Sequence, residues 1–95
     1  MAAYVVARVR VTDPERYASY KLLTPAAIAK YEGRFVARGG ETEVLEGPDE
    51  DRRIVLLEFP SMAKAREFYD SPEYRQARDA RAAAAEMEML VISGD

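Results

Sequence analysis

The sequence predicts a two-layer α+β domain in which helices cover one face of a small antiparallel sheet. Three observations predict it. Ala3 to Val11 and Glu86 to Ser93 alternate in the period-two manner of strands. Asp13-Pro14-Glu15 and Ser71-Pro72-Glu73 each set a capping residue before a proline at the first helical position and a carboxylate in the first turn, which is how a helix opens. Across three strand-like segments, Val5, Ala7, Val9, Val11, Val55, Leu57, Phe59, Met87, Met89 and Val91 form one wholly apolar parity set. A face covered by helices requires that composition.

Taken in order, the first strand is Ala3 to Val11. A helix from Pro14 to about Tyr31 follows, with Pro25 expected to kink or divide it because proline removes an intrahelical hydrogen bond, and with Gly33 placed to stop it. A second strand is expected from Arg34 to Glu46, broken in the middle by Gly39 and Gly40. Glycine weakens a strand interior, so the pair predicts positive φ or a bulge there. Gly47 to Asp51 is rich in turn residues and leads into a third strand, Arg53 to Phe59. Pro60 ends that strand and Ser61 caps a helix, which restarts at Ser71 and runs from Pro72 to about Ala85 on the strength of its alanines. Glu86 to Ser93 is the fourth strand. The order is βαββαβ, the split βαβ or ferredoxin-like arrangement, with sheet order 4-1-3-2 and both helical segments on one face. Residues 1–95 make a single domain of this size.

Composition narrows the function. Hydrophobic residues are 48% and charged residues 33%, an ordinary globular balance, and the net charge of -3 gives no basic footprint for nucleic acid or an anionic membrane. The chain has no cysteine and no histidine, so thiol chemistry, the commonest general base and the commonest transition-metal ligand are all missing. No metal and no cofactor are expected. The N-terminus lacks the apolar core of a signal peptide and no apolar run reaches the length of a membrane span, so a cytoplasmic location is the expectation.

The second face of the sheet is mixed: Tyr4, Val6, Arg8, Arg10, Ile54, Leu56, Glu58, Glu86, Glu88, Leu90 and Ile92. It is too apolar for open solvent and too charged for a core. Together with the apolar, proline-free edge MEMLVI, it predicts a C2 homodimer in which two sheets close a barrel-like shell around a partly wet cavity. Antiparallel geometry sets Arg8 and Arg10 beside Glu88 and Glu86, as an ion-pair ladder or an anion site. At the other end it gathers Tyr4, Arg38 and Glu58, with a bulge at Gly39-Gly40 aiming Arg38 at Glu58. Those three are the expected ligand-binding residues, or Arg38 and Glu58 form a pair that only fixes register. Tyr17, Tyr20, Tyr69 and Tyr74 are expected to pack on the sheet with hydroxyls at the rim, Tyr69 and Tyr74 beside a cavity mouth. Arg75, Arg78 and Arg81 read as a solvated helix face.

The runs YVVARVRVTDPERYASY, IAKYEGRFVARGG and VLLEFPSMAKAREFYDSPEYRQARDAR resemble the bacterial domain-of-unknown-function family 1330, over nearly the whole chain. The resemblance implies the dimeric α+β barrel superfamily, with a ferredoxin-like fold and an inter-sheet pocket. Members of that superfamily include cofactor-free monooxygenases, isomerases, dehalogenase-like and haem-handling proteins. Several use histidine, which this chain lacks, so those sites do not carry over. The Gly-Gly usual before the second strand reads Glu32-Gly33 here.

Three functions compete at this point. The first is a dimer binding a small organic ligand between its sheets. The second is a cofactor-independent enzyme of monooxygenase, isomerase or lyase type, with Glu58 as general base and Arg38 stabilising an enolate or carboxylate. The third is a purely structural dimer. Neither nucleic acid nor membrane is expected as a partner.

Overall fold

The structure is a computed structural model and describes residues 1–95. Its elements are β1 (Ala3–Val11), α1 (Pro14–Lys30), β2 (Arg34–Arg38), β3 (Arg53–Phe59), α2 (Met62–Tyr69), α3 (Pro72–Arg81) and β4 (Ala85–Ser93). The strands form one antiparallel sheet in the order β2-β3-β1-β4, the expected topology. β1 lies in the centre and pairs with β4 from Ala3↔Ser93 through Val11↔Ala85.

The helices cover one face of this sheet, and parity assigns the residues to it. Ala3, Val5, Ala7, Val9, Leu57 and Phe59 are buried, and Val11, Val55, Met87, Met89 and Val91 pack against them. From the helical layer come Tyr17, Tyr20, Ala27, Ile28, Ala65, Phe68, Tyr74 and Ala77. Phe59, Phe68 and Tyr74 stack in sequence, with ring centroids 5.0 and 4.4 Å apart. These offset aromatic contacts join the sheet to both C-terminal helices.

The helix starts match the caps read from the sequence. Asp13 accepts from the Arg16 N–H at 3.2 Å, Ser61 from that of Lys64 and Ser71 from that of Tyr74, both at 3.1 Å. The Ser71 hydroxyl also donates to the Phe68 carbonyl, so one buried side chain ends α2 and starts α3. Pro25 neither stops nor divides α1, which runs unbroken through it. The carbonyl that its missing N–H would have bonded, that of Lys21, takes a donor from a side chain of β2 instead.

α1 ends in a Schellman motif: Gly33 N–H bonds the Ile28 carbonyl at 2.9 Å and Glu32 N–H that of Ala29 at 3.0 Å. Glu32 holds the left-handed position at φ 65°, where glycine is usual. Gly33 is required for a different reason: a Cβ there would overlap the ring of Phe59, itself 1% exposed. Beyond the cap, Glu73 on α3 takes the Lys30 ammonium and the Tyr31 hydroxyl, clasping α1 to α3. These donors lower the Glu73 carboxyl to about 2.

Two expectations are corrected. α3 stops at Arg81 and does not run to Ala85, despite its alanines. The chain turns through Ala83 at φ 62°, and the carbonyl of buried Ala84 accepts from the N–H groups of both Thr12 and Asp13. Tertiary demand for that double acceptor overrides helix propensity. β2 is also shorter than expected, ending at Arg38 rather than Glu46, and residues 39–52 form an irregular loop. Glu50, Asp51 and Arg52 in that loop reach the sheet's outer face through Arg8–Glu50 (3.4 Å), Arg10–Asp51 (2.9 Å) and Arg52–Glu88 contacts.

Positions 32 and 33 make opposite predictions. Glu32→Gly relieves a left-handed non-glycine residue and should raise stability by roughly 0.5 to 1 kcal/mol. Gly33→Ala should lower it by about 1 to 3 kcal/mol through forced displacement of the Phe59 ring. Thermal or urea melts of the two variants check both signs.

Candidate functional site

Tyr4 and Glu58 lie together on the outer face as expected, the Tyr4 hydroxyl donating to the Glu58 carboxylate at 3.3 Å. Arg38 does not join them. The cation on Glu58 is Arg34, its direct cross-strand partner. Register explains the exchange. Arg34 pairs with Glu58 and Phe35 with Leu57, but Ala37 then pairs with Leu56 and Arg38 with Val55, because a bulge leaves Val36 extra. The bulge was expected at the glycines. Set earlier in the strand, it inverts the parity of Ala37 and Arg38 and carries Arg38 to the helix side.

Arg38 has a defined job on that side. Its guanidinium donates to the Lys21 carbonyl at 3.3 Å and lies 4.2 Å from the Phe35 ring centroid. Lys21 is four residues before Pro25, so its carbonyl is the acceptor that proline leaves without an intrahelical donor. Gly39 does have positive φ (68°), and its N–H closes the ladder on the Ile54 carbonyl at 2.9 Å. A Cβ at Gly39 would strike the guanidinium of Arg53. The glycine is therefore open on the side where Arg53 packs, and does not aim Arg38.

Arg53 was missed in the sequence, although its parity with Val55, Leu57 and Phe59 places it under the helices. A small chamber there is lined by Tyr17, Tyr20, Tyr74, Arg38, Arg53 and Met87 among others. The Tyr20 and Tyr74 hydroxyls meet at 2.7 Å inside the core, not at the rim. Burial, with Tyr74 beside it, raises the Tyr20 phenol far above its ordinary range. Burial also raises that of Tyr17, opposed by the nearby charges of Arg53, Arg81 and Arg38. Arg81 is not on a solvated face: it reaches inward to 5.4 Å from the Tyr20 ring centroid, and Arg78 lies 4.3 Å from that of Tyr69. None of the ion pairs in the structure involves Arg38, Arg53 or Arg81. The Nε atoms of Arg53 and Arg81 are buried without a hydrogen-bond partner.

Next to the chamber a groove of about 570 Å³ runs between β4 and the α2–α3 corner. Phe68, Met87 and Met89 line both spaces, and Arg81 lies in the groove wall. Eight of the eleven groove-lining residues are hydrophobic, the polar ones being Arg66, Asp70 and Arg81, with Tyr69 on the lining as expected of a cavity mouth. Size and lining are those of a small-molecule site. No cluster of three or more His, Cys, Asp or Glu side chains is arranged to hold a metal ion. On the outer face, Arg8↔Glu88 and Arg10↔Glu86 pair in register as predicted, yet their arginines turn to Glu50 and Asp51 in the loop.

If Arg38 serves the acceptor freed by Pro25, the two residues are coupled. Arg38→Ala should cost about 1 kcal/mol in the natural chain and distinctly less in a Pro25→Ala background, where the alanine restores the missing N–H. A double-mutant cycle by urea denaturation reads the coupling, and additive effects would refute it.

Comparison with solved structures finds the same fold in several proteins. A protein of unknown function from Rhodopseudomonas palustris is 24% identical with TM-score 0.79, the match covering 99% of this chain and 82% of that one. SnoaB, a cofactor-independent oxygenase from Streptomyces nogalater, is 19% identical with TM-score 0.70, covering 99% and 93%. A dimeric protein of unknown function and ferredoxin-like fold from Bacteroides fragilis is 18% identical with TM-score 0.65, covering 98% and 96%. At these identities the likeness shows the ferredoxin-like fold. Comparison with curated proteins finds no match. The model of the family described as Domain of unknown function (DUF1330) matches residues 2–95, and the chain belongs to that family.

Proposed function

We propose that the protein is a homodimer that binds a small organic molecule in the helix-side groove of each subunit. The observation that carries the binding reading is the groove itself, about 570 Å³ with a mainly apolar lining and Arg81 in its wall. The dimer reading rests on the opposite face. There Leu56, Val6 and Leu90 form one cross-strand row, next to the row of Tyr4 and Ile92. Leu90 and Ile92 are 50% and 57% exposed, more apolar surface than an ordinary solvated sheet face presents. The similar Bacteroides fragilis protein, described as dimeric, supports the same reading.

In such a dimer the expected ligand contacts divide between two faces. Tyr4 and Glu58, with Arg34, border the inter-sheet space, whereas Arg38 lines the helix-side chamber. Geometry favours binding over catalysis by Glu58 and Arg38. The sheet separates those two residues, and Glu58 already receives Arg34 and Tyr4. The Tyr20 phenol, raised by burial, stays protonated and its hydroxyl is shared with that of Tyr74, so it does not serve as a base.

Two experiments test the two halves. Sedimentation velocity at micromolar concentration should give a dimer for the natural chain and a monomer for Ile92→Asp, and a natural monomer would remove the dimer reading. The neutral dye Nile red should brighten with the natural protein and less with Met89→Trp, whose larger side chain obstructs the groove. Equal brightening would remove the groove as the binding site.

A further inference from the structure

The helix-side face carries more positive charge than its partners account for. Arg53 and Arg81 are half-buried on the helix side of the sheet and Arg38 is exposed at its margin, and no ion pair in the structure includes any of them. Arg38 is engaged with the Lys21 carbonyl. Arg53 is packed on the backbone of Gly39. Arg81 belongs to the groove wall, and its buried Nε has no partner. Its guanidinium neighbours the Tyr20 ring, which offers a π-face but no charge. Arginine in a mostly apolar wall, without its own carboxylate, is costly unless something completes it. The groove's one acidic residue, Asp70, makes no ion pair with Arg81, and Arg66 adds a second cation to the same lining. The lining is thus two cations to one anion around an apolar body.

We propose that the occupant of the groove is an organic acid, its apolar body lying against Phe68, Met87, Met89 and Val91 and its carboxylate taken by Arg81. This rests on the groove being the ligand site and specifies its chemistry. A planar guanidinium matches a carboxylate fork to fork, and a charge-assisted contact in a sheltered wall is stronger than a neutral one. The phenols of Tyr17 and Tyr20 do not compete for the role, since both line the inner chamber and neither lines the groove. Arg81 is a specificity-determining residue in this reading: it selects acid over alcohol, while the apolar wall sets the size.

The test is isothermal titration of the full chain with two acids, naphthoate and octanoate, and their neutral counterparts, naphthalenemethanol and octanol. The acids should bind at least about tenfold more tightly than the alcohols, the factor a charge-assisted hydrogen bond supplies. Arg81→Met should remove that preference, so that acids and alcohols bind this variant alike, and Arg81→Lys should retain part of it. Circular dichroism of each variant checks folding. If Arg81→Met does not fold, Arg81→Lys and the salt dependence of acid binding to the natural chain carry the decision. Raised salt should weaken the acids and not the alcohols. Acids and alcohols binding equally would overturn the acid reading and leave the groove as a neutral site. No binding by any of the four would overturn both the acid reading and the groove.

Discussion

One extra residue in β2 decides which face of the sheet receives each of its arginines. Before the bulge at Val36, Arg34 faces outward and meets Glu58; after it, Arg38 faces the helices. Remove the bulge and Arg38 would rejoin the parity of Arg34, leaving the Lys21 carbonyl without its donor at the turn where Pro25 interrupts the helical ladder. The unbroken α1 and the glycine against which Arg53 packs therefore depend on one local irregularity in an edge strand. A bulge used in this way is a structural device, as bulges at sheet edges commonly are.

The two faces of the sheet solve different problems. The helix side is closed by an aromatic stack, and its unsatisfied polar atoms sit among phenols and methionines. The outer side has an apolar row in its middle and charge at both ends, Arg34–Glu58–Tyr4 at one and the Arg8, Arg10 and Arg52 cluster with its carboxylates at the other. A second subunit laid on that face would meet self-complementary signs at the ends and apolar surface between them. The groove opens mainly on the other side of the sheet, and Leu90 at the edge strand is the residue shared by its lining and the outer apolar row.

Much of the fold was legible because its signals are local. Asp13, Ser61 and Ser71 cap where they stand, and the alternation of β1, β3 and β4 gives their faces directly. The site was less legible because it depends on parity across an irregularity. No residue type marks Val36 as the bulged position, whereas Gly39 and Gly40 draw attention to themselves, so Arg38 was placed with Glu58. Arg53 could have been found: its alternation with Val55 puts it under the helices, and a cation there calls for an explanation. The alanines before β4 misled for a related reason, since propensity says nothing of the carbonyl that Ala84 must offer to Thr12 and Asp13.

The central place of β1 sets the order in which the domain can form. Its two neighbours, β3 and β4, are separated from it by much of the chain, and β4 is the last element of all. A growing chain thus carries its first strand with one edge unpaired until its final strand emerges. The helical layer can assemble earlier, since α1, α2 and α3 precede β4 and the Tyr20–Tyr74 contact joins α1 to α3. Such long-range closure slows folding and leaves β1 open to strangers during synthesis. The arginines at positions 8 and 10 lie on that open strand, and the carboxylates that pair with them, Glu50 and Asp51, precede β4 in the chain, so the charged end of the outer face can form before the sheet is complete.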